Sequence, residues 1–144
     1  MGEKELFDKM YNTCVDIVRR CSDLTQLTGR SQVACALQAG SGHIYTGLNI
    51  GWWHSTCAEA TALSNAWQNG ERKVNYIMAV KLNWRNDQIE SLPPCGICRE
   101  MFNTLQPETK IVYVEDGQYV VKTIDEMLPD IEKSEEEIKR SSMD

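Results

Sequence analysis

No run of apolar residues in this 144-residue chain approaches the roughly 18–20 that a bilayer-spanning helix needs. No membrane-crossing helix is therefore expected. The opening stretch, MGEKELFDKM, is charged and has no apolar signal core, which argues against export and for a soluble, cytoplasmic protein. Dense basic runs are also missing. The chain carries 15 Lys and Arg against 21 Asp and Glu, a net charge of −6. Duplex binders rely on Lys and Arg contacts to phosphate, so a nucleic-acid partner is disfavoured. There is no internal repeat, no low-complexity tract and no linker long enough to divide the chain. What remains is 42% hydrophobic and 25% charged, near the globular average. The length fits one domain, and such a domain buries about two-thirds of its unfolded surface. That domain is expected over 1–129, followed at 130–144 by a tail rich in charge that reads as a solvated helix or frayed end.

Hydrophobic spacing predicts a helix over residues 3–22, with Leu6, Met10, Cys14, Ile17 and Cys21 on one stripe. The segment QVACALQAGSGHIYTGLNI reads as a hairpin turning at Gly40-Ser41-Gly42. A helix follows from Ser55 to Asn69, stopped by Gly70. The near-continuous apolar run VNYIMAVKL suits a central strand buried on both faces. NWRNDQIESLPP reads as a polar loop, and CGICREMFNTLQ as a helix preceded by two prolines. KIVYVE and QYVVKT are the last strands, joined at Asp116-Gly117, and TIDEMLPD is a short helical turn. Strands interleaved with helices predict an α/β fold, a sheet with helices on its faces.

Six cysteines are present: Cys14, Cys21, Cys35, Cys57, Cys95 and Cys98. In a reducing compartment they are not expected to form disulfides. Cys14, Cys21 and Cys35 fall on apolar faces and read as core residues. The other three sit in two short motifs, Cys57-Ala58-Glu59 and Pro94-Cys95-Gly96-Ile97-Cys98. Each is weak alone, since a C-x-x-C pair serves redox and structural zinc sites alike. Both fall at predicted helix starts, however. The i, i+3 spacing points Cys95 and Cys98 off one helical face, and Cys57 opens another helix. Three thiolates could meet between two helix N-termini, where the partial positive charge favours thiolate over thiol. Zinc accepts such ligands tetrahedrally, and three protein ligands leave a fourth position for water, the pattern of a catalytic site. Three thiolates leave that site anionic, and Arg99, next to Cys98, is available to balance charge. Glu59 could then act as general base and general acid without binding the metal.

Plainer readings stand beside this one. The three cysteines could be structural zinc ligands with His54 as a fourth. Cys95 and Cys98 could be a dithiol redox pair. Thr56-Cys57-Ala58-Glu59 fits a capping box, in which the Glu only satisfies backbone at a helix start. Trp52, Trp53 and His54 could stack on a ligand ring or lie at an interface or in the core. Trp67 and Tyr76 read as packing residues, and Asn49 as a strand-end turn or a ligand contact.

Taken together, Cys57-Ala58-Glu59 and Pro94-Cys95-Gly96-Ile97-Cys98-Arg99 resemble the zinc deaminase signature of the cytidine deaminase superfamily. The strand ending Tyr45-Thr46-Gly47-Leu48-Asn49-Ile50 is also similar to the segment before the first motif in free-nucleoside deaminases. The likeness runs from about Gln32 to Leu128. The all-cysteine ligand set and compact size resemble the small homotetrameric cytidine deaminases and the blasticidin-S deaminases. The resemblance implies a three-layer α/β/α fold with a mixed five-stranded sheet and a homotetramer. It implies one zinc ion per subunit held by Cys57, Cys95 and Cys98, with Glu59 as proton shuttle and Asn49 and Ala58 contacting substrate. The implied reaction is hydrolysis of an aminopyrimidine nucleoside such as cytidine or deoxycytidine, with loss of ammonia. A blasticidin-S-like antibiotic deaminase is the alternative, and a non-enzymatic structural zinc module the competing class. Three positions depart from the cytidine deaminase pattern. Gly51 stands where a ribose-binding Glu is usual, Ala60 where an Arg follows the catalytic Glu, and Ser31 where an aromatic is frequent. Blasticidin-S deaminases also lack that Glu and that Arg.

Overall fold

The computed structural model describes residues 2–52, 55–94 and 96–127, and no side chain of 96 or 97. The charged tail at 130–144, Trp53, His54 and Cys95 lie outside the described residues. Helix α1 (Glu3–Arg20) opens the chain, and a short helix α2 (Leu24–Thr28) follows it. Strands β1 (Gln32–Ala39) and β2 (Ile44–Leu48) form the expected hairpin, and α3 (Ala58–Gln68) leads into β3 (Val74–Asn83). Then come β4 (Gln88–Leu92), α4 (Gly96–Leu105), β5 (Lys110–Glu115), β6 (Gln118–Thr123) and α5 (Ile124–Met127).

The sheet runs β2-β1-β3-β5-β6, and β4 pairs with β3 off that path, making six strands. Five strands were expected, and the sixth comes from the segment read as a polar loop. Only the first half of β3 meets β5, in parallel, at Tyr76↔Lys110 and Ile77↔Ile111. Its second half would be an open edge, and β4 pairs with it antiparallel from Ala79↔Leu92 to Asn83↔Gln88. Gln88-Ile89-Glu90-Ser91-Leu92 is exposed or half-buried throughout, so it lacks the apolar density that marks an interior strand. β5 and β6 form an antiparallel hairpin. Its turn places Asp116 at φ 53° and Gly117 at φ 75°, the left-handed pair that a two-residue hairpin turn requires.

β1 divides the interior into two layers, because alternate side chains point to opposite faces. Cys35, Leu37 and Ala39 pack with α3 and with Phe102 of α4. Ala34 and Ala36 pack beneath α1 against Phe7, Met10, Cys14 and Val18. Helices therefore cover both faces, as expected for a three-layer α/β/α fold. Cys14 and Cys35 are fully buried, and burial raises the Cys14 thiol to about 12. Cys21 was expected on the same buried stripe, but it is the C-cap of α1 and only half-buried. Tyr76 packs edge-on against Phe7 at 5.1 Å between ring centroids. Trp67 does not behave as a packing residue of that kind, since it stays 37% exposed on α3.

β2 and β3 both run antiparallel to β1, so α3 is the crossover between two strands of like direction. The crossover is tight at Gly47. A Cβ there would lie 2.4 Å from both the Ala58 carbonyl oxygen and the Ala62 nitrogen. The missing side chain lets the first turn of α3 lie directly on β2.

Candidate active site

Cys57 is the N-cap of α3, with φ −70° and ψ 148°, and makes no side-chain capping hydrogen bond. Glu59 is the second helical residue and is 6% exposed. Here the capping-box reading fails, because it required Thr56 as the N-cap and Glu59 three residues later. The box instead occurs at α5, where Thr123 Oγ1 accepts from the Glu126 N–H at 3.2 Å. Glu126 Oε1 in return accepts from the Thr123 N–H at 3.1 Å.

Cys98 sits in the first turn of α4 and is 2% exposed. One ligand atom each from Cys57, Glu59 and Cys98 lies within 4.8 Å of the others. Two helix N-termini, distant in sequence, thus deliver two sulfurs and a carboxylate to one point. Burial pushes the Glu59 carboxyl above the usual carboxylate range, opposed by hydrogen bonds with the Cys98 thiol and its own backbone N–H. Cys35 lies on the sheet below and is also raised, first by burial and then by the charge of Glu59. Cys95, the third expected ligand, directly precedes α4 and lies outside the described residues.

The donor set suits zinc. At a Zn–S distance near 2.3 Å, two sulfurs on a tetrahedral ion stand roughly 3.8 Å apart, which the observed spread accommodates. Helix N-termini stabilise the thiolates such an ion requires. A hard oxygen-seeking cation would not favour two sulfurs.

A cavity of about 400 Å³ adjoins this cluster, lined by Asn49, Gly51, Cys57, Ala58 and Glu59, among others. Its size suits a small molecule. Asn49 lies on its wall and braces the neighbouring strand. Its Oδ1 accepts from the Val33 N–H at 2.9 Å, and its Nδ2 donates to the Ser31 carbonyl at 3.1 Å. Each group keeps one further hydrogen-bonding valence, so bracing and ligand contact are compatible. Ala58, 1% exposed, presents the helix start beside the cluster. Arg99 is engaged with two backbone carbonyls. Its Nε donates to the Pro94 carbonyl at 2.8 Å and its Nη1 to the Met127 carbonyl at 3.0 Å, tying the α4 entrance to α5. Trp52 is 64% exposed and borders a neighbouring hollow. Sequence reading did not single out Arg30, Leu92 or Pro93, which also line the main cavity. The adjacent prolines at 93–94 were visible, but their place on the wall depends on the unforeseen β4.

The fold and this cluster define an α/β protein with a candidate zinc centre at the end of a small-molecule cavity. The chain belongs to the family described as "Cytidine and deoxycytidylate deaminase zinc-binding region", matched over residues 8–115. Blasticidin-S deaminase of Bacillus cereus is 28% identical over 106 residues, covering 69% of this chain and 76% of the relative. Cytidine deaminase of Halalkalibacterium halodurans is 35% identical over 105 residues, with the same 69% and 76% coverage. Among solved structures, cytidine deaminase from Burkholderia pseudomallei superposes with a TM-score of 0.56 at 28% identity, covering 71% of this chain and 82% of that one. Cytidine deaminase from Bacillus anthracis superposes with a TM-score of 0.66 over 94% of this chain and 97% of its own, at 20% identity. That last likeness bears on the fold alone. The family's chemistry is hydrolysis of the C–N bond in cyclic amidines, which makes this chain an enzyme of that type.

Proposed function

We propose that this chain deaminates a free aminopyrimidine nucleoside, cytidine- or deoxycytidine-like, with Glu59 carrying the proton and Cys57, Cys95 and Cys98 holding one zinc ion per subunit. The observation that carries this reading is the buried Glu59 carboxylate set against two thiols at the end of a small-molecule cavity. Zinc held by Cys57, Cys95 and Cys98 would supply Lewis-acid activation of water there. Glu59 would carry two protons in turn: that of the attacking water to the ring nitrogen, then that of the newly added hydroxyl to the amine, which leaves as ammonia as the carbonyl forms. Burial favours this exchange, because it keeps the carboxyl more basic than one in water. Asn49 and Ala58 orient the substrate on the cavity wall. Arg99 contributes positive charge near an anionic site while fastening the α4 entrance.

The reading extends to one catalytic domain over 1–129, a homotetramer and a cytoplasmic location. Ile50 and Trp52, 60% and 64% exposed beside the cavity, offer apolar surface for subunit contact, and light scattering measures the assembly directly. A stable, active monomer would contradict the tetramer. Cys14, Cys21 and Cys35 are unbridged thiols, in keeping with a reducing compartment. Among the described residues, no helix is long and apolar enough to cross a membrane.

The test is ammonia release by zinc-loaded protein from cytidine, deoxycytidine, cytosine and blasticidin S. Glu59→Ala should keep the fold and the bound zinc and lose turnover by roughly 10²–10⁴-fold or more. Undiminished turnover in that variant would remove the proton-carrier role. Loss of zinc would instead make Glu59 a ligand.

A further inference from the structure

At the cavity wall away from Glu59, two residues are fitted to each other. A Cβ on Gly51 would stand 2.6 Å from Arg30 Cδ, 3.1 Å from its Cβ and 3.2 Å from its Cγ. The aliphatic stem of Arg30 thus lies across the Gly51 backbone, in space that any larger residue would claim. The backbone of Arg30 is itself fixed. Gly29 ends α2 in the left-handed conformation at φ 70°, and the Arg30 N–H donates to Thr28 Oγ1 at 3.2 Å. The guanidinium has no such anchor. Arg30 is exposed, and among the described residues its side chain meets no acidic partner.

Among the described residues lining the cavity, Arg30 is the only cation and Glu59 the only anion. Arg30, Gly51 and Ser55 also border an adjoining hollow of about 410 Å³ that reaches Thr28 and Trp52. A positive group therefore stands on the ridge between the catalytic cavity and a second, more polar space. Guanidinium is planar, permanently charged and suited to bidentate pairing with carboxylate or phosphate. A wholly neutral ligand would leave this charge without a partner.

We propose that Arg30 is a specificity-determining residue, reading an anionic substituent, carboxylate or phosphate, that the substrate carries at the end opposite its ring amine. Gly51 positions Arg30 by leaving room for its stem. The substituent lies in the hollow bounded by Arg30, Gly51 and Ser55 while the amine-bearing ring faces Glu59. This deepens the deaminase reading and rests on it for the identity of the ring.

The experiment has two arms on zinc-loaded full-length protein. In the first, ammonia release is measured from cytidine, cytidine 5′-monophosphate and cytidine 5′-carboxylate. At least one anionic compound should exceed cytidine in kcat/KM by about tenfold or more, mainly through KM, and the preferred one distinguishes phosphate from carboxylate. Arg30→Gln should collapse that ratio, Arg30→Glu should invert it, and Arg30→Lys should restore part of it. Equal or lower kcat/KM for both anions, or a ratio unchanged in Arg30→Gln, would overturn the proposal. In the second arm, calorimetry compares binding of uridine with its 5′-phosphate and 5′-carboxylate. An Arg30-dependent preference for an anion without any ammonia release would sustain Arg30 as the anion reader and defeat the deaminase reading. Ammonia release with no such preference would do the reverse.

Discussion

Gly47 and Ala58 touch backbone to backbone. A methyl group on Gly47 would lie 2.4 Å from the Ala58 carbonyl oxygen, so the β2–α3 contact exists only because that side chain is missing. Ala58 stands between Cys57 and Glu59, and the contact sets where both enter the site. In Gly47→Ala, backbone rather than a flexible side-chain end must give way. The expected cost is about 1–3 kcal/mol from overpacking, read as a lower urea midpoint. The folded fraction should also show reduced turnover, since α3 lifts at its catalytic end. Stability within about 0.5 kcal/mol of the parent, the range of a neutral surface change, would mean the helix start is not set by this contact.

That contact also shows where sequence reading stops. Long periodic elements were legible: the stripe on α1, the apolar run of β3 and the β1–β2 hairpin all stand close to their expected bounds. The cysteine motifs were legible because their chemistry depends on residue type and short spacing, and Cys57, Glu59 and Cys98 do converge. β4 was hidden, since a partly exposed strand that completes an edge needs little hydrophobicity of its own. The five-residue α2 (Leu24–Thr28) is too short to show a helical period. The fit of Arg30 over Gly51 joins residues from separate loops, and no local pattern announces it. The capping-box alternative at Glu59 arose because two sites share the three-residue spacing from Thr to Glu. Only backbone geometry at Cys57 and at Thr123 separates them.

Glu71 closes the far end of the first hairpin. Its carboxylate, 13% exposed, accepts from the Ser41 hydroxyl and from the Tyr45 hydroxyl at 2.9 Å. These hydrogen bonds, that of Ser41 first, hold the carboxyl below its ordinary value of 4.5 despite partial burial. A carboxyl depressed on folding adds stability that is present above the ordinary value and is lost as pH falls through the depressed one. Glu71→Gln should therefore lower the melting temperature at pH 7. The gap between variant and parent should narrow steadily as pH drops below about 4.5. A gap independent of pH would show that the charge on Glu71 contributes nothing.

Arg99 permits two accounts that one pair of variants separates. As a charge near the thiolates, it would be replaceable by any cation. As a staple, it needs two donors reaching Pro94 O at 2.8 Å and Met127 O at 3.0 Å together, which a guanidinium fork can do and a compact ammonium cannot. Hydrogen bonds to charged groups contribute about 1.5–3 kcal/mol each net of water competition when buried, and the half-buried Arg99 keeps only part of that. Arg99→Ala should thus cost about 1–3 kcal/mol in urea unfolding. The staple predicts that Arg99→Lys recovers less than half of that loss, and that zinc competition with a chromogenic chelator shows weaker metal retention in both variants. If Arg99→Lys matches the parent in stability and zinc retention, the geometry of the fork is irrelevant and positive charge alone is what the α4 entrance requires.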